Sequence, residues 1–220
     1  MRKITLILVA IMASVALDAQ NTTYCTTDSL FYPYQWGLYN DGQQLPPAVF
    51  GPFNSDYNNF IPGIDISACD AWQYTEGEGI KIGIIYTGGF TEITRYPVDI
   101  ADNIPVIKEI QTGHPDDEAM QQNGIIAAIR NNLEFVGVAP KSKLYPICIR
   151  YLNYIPQAID TALAMGLDII FLADYDVVSP GVDPLLIEAA IQKAHTEGRN
   201  GRGCVVICPS GDALGVPNDG

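Results

Sequence analysis

The stretch "GEGIKIGIIYTGGF", Gly77 to Phe90, constrains the fold more than any other. Its centre, Ile80 to Ile85, is a near-continuous β-branched run. Such a run reads as a strand buried on both faces, which is a property of parallel sheets covered by helices. The rest of the chain continues the pattern. Glu118 to Asn131 has helical spacing, with Met120, Ile125, Ile126 and Ile129 apolar. Lys143 to Ile149 reads as a second strand, Ile155 to Met165 as a helix and Leu167 to Ala173 as a third strand. Asp183 to Thr196 reads as a helix capped by Asp183, with Pro184 in its first turn. The segment "NGRGCVVICPSG" then turns into a fourth strand. Strands alternating with helices predict an α/β fold of three layers, a mostly parallel sheet with helices on both faces.

Three segments follow from this reading. Residues 1–20 pair Arg2 and Lys3 with the apolar run Ile4 to Val15 and a small-residue exit at Ala19-Gln20, the pattern of a secretory signal peptide. The run falls short of the roughly 20 residues a bilayer span needs. A secreted or periplasmic product with no membrane span after signal removal is expected. Residues 21–79 form an irregular N-terminal arm rich in Tyr, Pro, Asn and Gly, with one short helix in "DISACDAWQY" capped by Asp70 and anchored by Trp72. Residues 80–220 form the α/β domain.

Charge and cysteines exclude several function classes. A formal net charge of -13 repels phosphate backbones, so no nucleic-acid partner is expected. The five cysteines cannot all close into intramolecular pairs. Cys25 with Cys69 is the favoured disulfide, both lying in loop-rich sequence, whereas Cys148, Cys204 and Cys208 sit in apolar runs and read as small buried hydrophobes. No cysteine or histidine spacing fits a metal site, and no cofactor is expected. "YTGGF" as an anion loop lacks both GxGxxG and GxxxxGK[ST]. Ligands of parallel sheets gather beyond the carboxyl ends of strands, here Tyr86, the turn after Ile149, Asp174-Tyr175 and Ser210-Gly211-Asp212.

Several fragments, in this order and spacing, resemble a subtilisin-like serine peptidase (subtilase): "YQWGLYNDGQ", "GIDISACDAW", "GIKIGIIYTG", "GIIAAIRNN", "GVAPKSKLYPI", "GLDIIFLADYD" and "GRNGRGCVVICPSGD". The resemblance runs from about Gln35 to Asp212. It implies an Asp–His–Ser triad in which serine attacks the carbonyl, histidine takes its proton and aspartate orients the imidazole. It also implies an asparagine that donates to the oxyanion. The family's aspartate ends the first core strand, where Tyr86 stands. Its histidine, about 32 residues on, falls on Glu118, with the family's HGTxxAG aligned on "EAMQQNG". The oxyanion asparagine falls on Asp212, and the serine would lie beyond Gly220. The peptide-pairing Ser-x-Gly segment matches Ala173, Asp174 and Tyr175, with a tyrosine where close backbone approach favours glycine.

Glutamate for histidine and aspartate for asparagine are also the substitutions of sedolisins, but the further sedolisin aspartate, one helical turn on, is Gln122 here. Glu118 and Asp212 read more simply as drifted, solvated acids, and Asp174 and Asp176 as turn caps. His114, in "TGHPDD", reads as a loop residue and His195 as a complement to a helix C-terminus. The resemblance allows calcium, although no acidic loop matches a family calcium site. The expectation is a degenerate, C-terminally shortened subtilase-fold protein that is proteolytically inactive, binds a peptide or protein partner if it acts at all, and oligomerises or aggregates through an uncovered sheet face. The alternative is the front portion of a larger subtilase-like endopeptidase.

Overall fold

The computed structural model describes residues 35–42, 61–87, 98–110, 117–133, 135–173 and 182–209, the side chains of 117–120 excepted. They group into two compact units. The signal segment, His114, Asp174, Tyr175, Asp176 and Asp212 lie outside the described residues.

The unit drawn from Gly79–Asn123 and Lys141–Gly220 carries the sheet. Its strands are β1 (Lys81–Thr87), β2 (Lys108–Glu109), β3 (Lys143–Ile149), β4 (Ile169–Leu172) and β5 (Val205–Ile207), in the spatial order β2-β3-β1-β4-β5. Every pairing is parallel, as the alternating sequence pattern predicts. The helices are α2 (Val98–Ala101), the start of α3 (Asp117–Ala127), α4 (Ile155–Ala164) and α5 (Pro184–Gly201). Strand β2, α2 and the short 3-10 turn Leu152–Tyr154 have no periodic signal in the sequence and were not anticipated there.

One face of the sheet packs on α4 and α5. Ile85, Ile147, Ile149, Ile170 and Leu172 meet Ile155, Ala158, Ile159, Ala162, Ile187, Ala190 and Ala194 in a single buried cluster. Truncating any of its large aliphatics to alanine costs about 2–5 kcal/mol. Gly83 belongs to this face because a Cβ there would stand 2.7 Å from the Leu167 side chain and 3.8 Å from Ala162. The opposite face carries Ile82, Ile84, Tyr86, Leu144 and Cys148, all buried. Farther along it, Ile169 and Phe171 of β4 are half-buried, and their register partners on β5, Val205 and Ile207, are 52% and 46% exposed.

At the amino ends of the strands, Asp168 ties the layers together. Its backbone N–H donates to the Lys81 carbonyl at 2.8 Å, and its Oδ2 accepts from the Lys81 backbone N–H at 3.0 Å. Its carbonyl accepts from the Val205 N–H at 3.2 Å, while Oδ1 holds the Arg199 Nε at 3.1 Å. Helix α5 begins as predicted, with the Asp183 carboxylate accepting from the Leu185 N–H at 3.0 Å. It leaves regular geometry at Gly198, after which Arg199 and Asn200 take left-handed backbone angles. The return is tight: a Cβ on Gly198 would meet the Cys204 sulfur at 2.3 Å, and one on Gly203 the His195 carbonyl at 2.3 Å. Glycine at both positions is what lets β5 follow the helix so closely.

The other unit, drawn from Met1–Glu78 and Gly124–Pro140, is organised by Trp72. Leu38, Ala68, Cys69, Trp72 and Val136 form its core. The indole N–H donates to the Val138 carbonyl at 2.9 Å, and the Arg130 guanidinium lies 4.3 Å over the ring while pairing with Glu76 at 3.1 Å. Gln35 clasps Val136 with two bonds, donating from Nε2 to its carbonyl at 2.7 Å and accepting its N–H at 3.0 Å. The short helix α1 (Ala68–Ala71) forms where expected, but Asp70 lies inside its first turn rather than capping it. Ser67, in a left-handed conformation, is the N-cap residue without a side-chain cap bond, and Asp65 Oδ1 accepts its N–H at 2.6 Å. Cys69 is disulfide-bonded, and its expected partner Cys25 lies outside the described residues.

Helix α3 stops at Ala127, short of the predicted Asn131, because the backbone of "GVAP" takes over its last carbonyls. Gly137, Val138 and Ala139 donate to Ala128, Ile125 and Ile126 at 2.9, 2.9 and 2.8 Å. This approach is too close for any side chain: a Cβ on Gly137 would stand 2.5 Å from the backbone nitrogens of both Ala127 and Ala128. Gly137→Ala is therefore expected to lower stability by about 1–3 kcal/mol in chemical denaturation, the usual cost of overpacking. Gly37→Ala, where a Cβ meets nothing within 4 Å, is the control and should stay within about 0.5 kcal/mol of the parent.

Candidate functional site

The carboxyl ends of β1, β3, β4 and β5 are where a parallel sheet places its chemistry. Tyr86 is the penultimate residue of β1, and Cys148 the penultimate residue of β3. The two strands run in register, so Tyr86 faces Cys148. Parallel partners point to the same face. Here the Cys148 thiol donates to the Tyr86 phenolic oxygen at 2.9 Å. Tyr86 is 2% and Cys148 0% exposed.

This arrangement has a chemical meaning. A phenol with an ordinary pKa of about 10 is neutral at pH 7. A buried neutral phenol bonded to a thiol offers no negative charge to a neighbouring imidazolium. The aromatic ring instead fills the sheet end as a core residue. Reading Cys148 as a buried small hydrophobe is right about its burial and misses its role as a donor. The missed signal was positional, since both residues stand sixth in strands of seven.

The other positions divide as follows. Glu118 is the second residue of α3, and its side chain lies outside what is described. Gln122, one turn on, is half-buried, and its Oε1 is buried with no hydrogen-bond partner among the described residues. Ala173 follows β4 directly, and its N–H donates to the Ile85 carbonyl at 2.8 Å, extending the β4–β1 ladder. Asp174, Tyr175 and Asp212, the remaining matched positions, lie outside the described residues. His195 is exposed on α5, consistent with a solvated place near the helix end. The structure thus unites Tyr86 with Cys148.

Cys208 follows β5 by one residue and is a free, exposed thiol, where the sequence pattern predicted a buried one. The run Val205–Ile207 is apolar, yet β5 is the outermost strand among the described residues and Val205 and Ile207 are themselves exposed, so periodicity misplaced the residue after it. Local desolvation still pushes its pKa up. Cys204, by contrast, is buried, and its thiol donates to the Leu167 carbonyl at 3.1 Å. Its pKa is also raised, first by burial and then by the Asp168 carboxylate. Among the described residues no group of three or more His, Cys, Asp or Glu side chains could hold a metal ion. None of their helices is long and apolar enough to cross a membrane.

Comparison with solved structures identifies the architecture. Fervidolysin from Fervidobacterium pennivorans, a keratinolytic enzyme related to subtilisin, matches 84% of this chain over 26% of its own at 16% identity, with a TM-score of 0.54. The MycP3 protease of the type VII (ESX-3) secretion system matches 64% of this chain over 43% of its own at 20% identity, TM-score 0.48. The prenylagaramide maturation protease PagA matches 65% over 50% at 16% identity, TM-score 0.46. The fervidolysin match shows a subtilisin-like fold, as the sequence resemblance implies. This chain spans half or less of the length of each of these three proteins. No family model and no curated protein matches the sequence.

Two outcomes test the geometry. Tyr86→Phe removes the acceptor of a buried thiol and is expected to cost about 1 kcal/mol. Tyr86→Asp also leaves a cavity and buries a charge, so it should cost at least the roughly 3–5 kcal/mol of an aromatic truncation. Denaturant titration of both variants reads the difference. For the thiols, iodoacetamide with peptide mapping of the native protein should label Cys208 and spare Cys148 and Cys204. Because the Cys208 pKa is raised, its thiolate fraction lags that of an unhindered thiol. Its labelling rate should keep rising at pH values where glutathione has levelled off.

Proposed function

We propose that this chain is an exported subtilase-fold protein of serine endopeptidase ancestry that has lost peptidase activity and acts by binding a peptide or protein, or through assembly. The observation that carries this reading is the buried Tyr86–Cys148 pair at the end of β1. In the family mechanism that position supplies the carboxylate that orients and charge-stabilises the histidine. Replacing such a carboxylate by a neutral isostere lowers kcat by about ten-thousand-fold even with every other group in place. Here a glutamate occupies the matched histidine position as well. Glutamate at that position and aspartate at 212 would follow the sedolisin pattern, but that pattern is broken at Gln122. The reading needs no cofactor.

Binding or assembly is supported by the β5 side of the sheet. Val205 and Ile207 are exposed on the face they share with half-buried Ile169 and Phe171. Exposed apolar residues along a short strand favour association. The Cys69 disulfide agrees with passage to an oxidising compartment, where such bonds persist.

A fluorophosphonate probe tests the central claim. No labelling and no hydrolysis of a casein or peptide-library substrate are expected, and covalent labelling with turnover would overturn the reading. For association, light scattering of the parent should report species larger than the monomer. The double variant Val205→Lys/Ile207→Lys should shift them toward the monomer. A parent that is monomeric and unfolds in one sharp transition speaks against assembly.

The match to fervidolysin, of which this chain spans 26%, favours a second reading, in which this chain is the front portion of a larger subtilase-like endopeptidase. An in-frame coding continuation after Gly220 carrying a Gly-Thr-Ser segment would support it, and a stop codon there would exclude it.

A further inference from the structure

We draw no further inference here: the strongest candidate, the exposed apolar face of β4 and β5 that carries Val205 and Ile207 and runs out at the free thiol of Cys208, carries none because nothing in the structure shows what covers it.

Discussion

The register of β1 is the constraint on which the sheet-bearing unit depends. β1 lies between β3 and β4 and is buried from Ile82 to Tyr86, so neither face tolerates a change of side-chain set. A slip of one residue would move every side chain to the other face. It would bring Ile82 or Ile84 to the place where Gly83 now leaves 2.7 Å between a notional Cβ and Leu167. Burial on two faces and one missing side chain therefore allow a single alignment. That alignment brings Tyr86 beside Cys148.

The same logic links packing to chemistry. A strand end in a parallel sheet is the natural place for a catalytic group, because its side chain is held by the sheet while its environment is set by the loops beyond. At this strand end the held group is neutral, buried and bonded to a thiol. The aromatic ring of Tyr86 completes the core at the carboxyl end of β1. Asp168 plays the corresponding part at the opposite end of the strands, where one carboxylate and its backbone join β1, β4, β5 and the end of α5.

Much of the fold was legible because its signals are local and strong. The near-continuous apolar run of β1, the seven residues of β3 and the Asp183-Pro184 start of α5 each lie where periodicity and capping rules put them. The failures have physical reasons. Helix α3 ends at Ala127 because a distant backbone segment takes its carbonyls, an event with no mark in the helical pattern itself. Asp70 does not cap α1 because a left-handed Ser67 starts the helix earlier. Cys208 is exposed, as are Val205 and Ile207 of the strand before it, because apolar neighbours in sequence do not supply cover in space.

For the site, the amino-acid order alone determined which residue types occupy the positions matched by resemblance: Tyr86, Glu118, Ala173 and Asp212. It thereby determined which acid–base chemistry those positions can supply, since ionisation is first a property of the side chain. Only the tertiary structure decided that Tyr86 is sealed from solvent and engaged by Cys148, which lies 62 positions away in the chain. Contact between residues so far apart comes from strand pairing and register, which depend on the whole sheet rather than on any local sequence window.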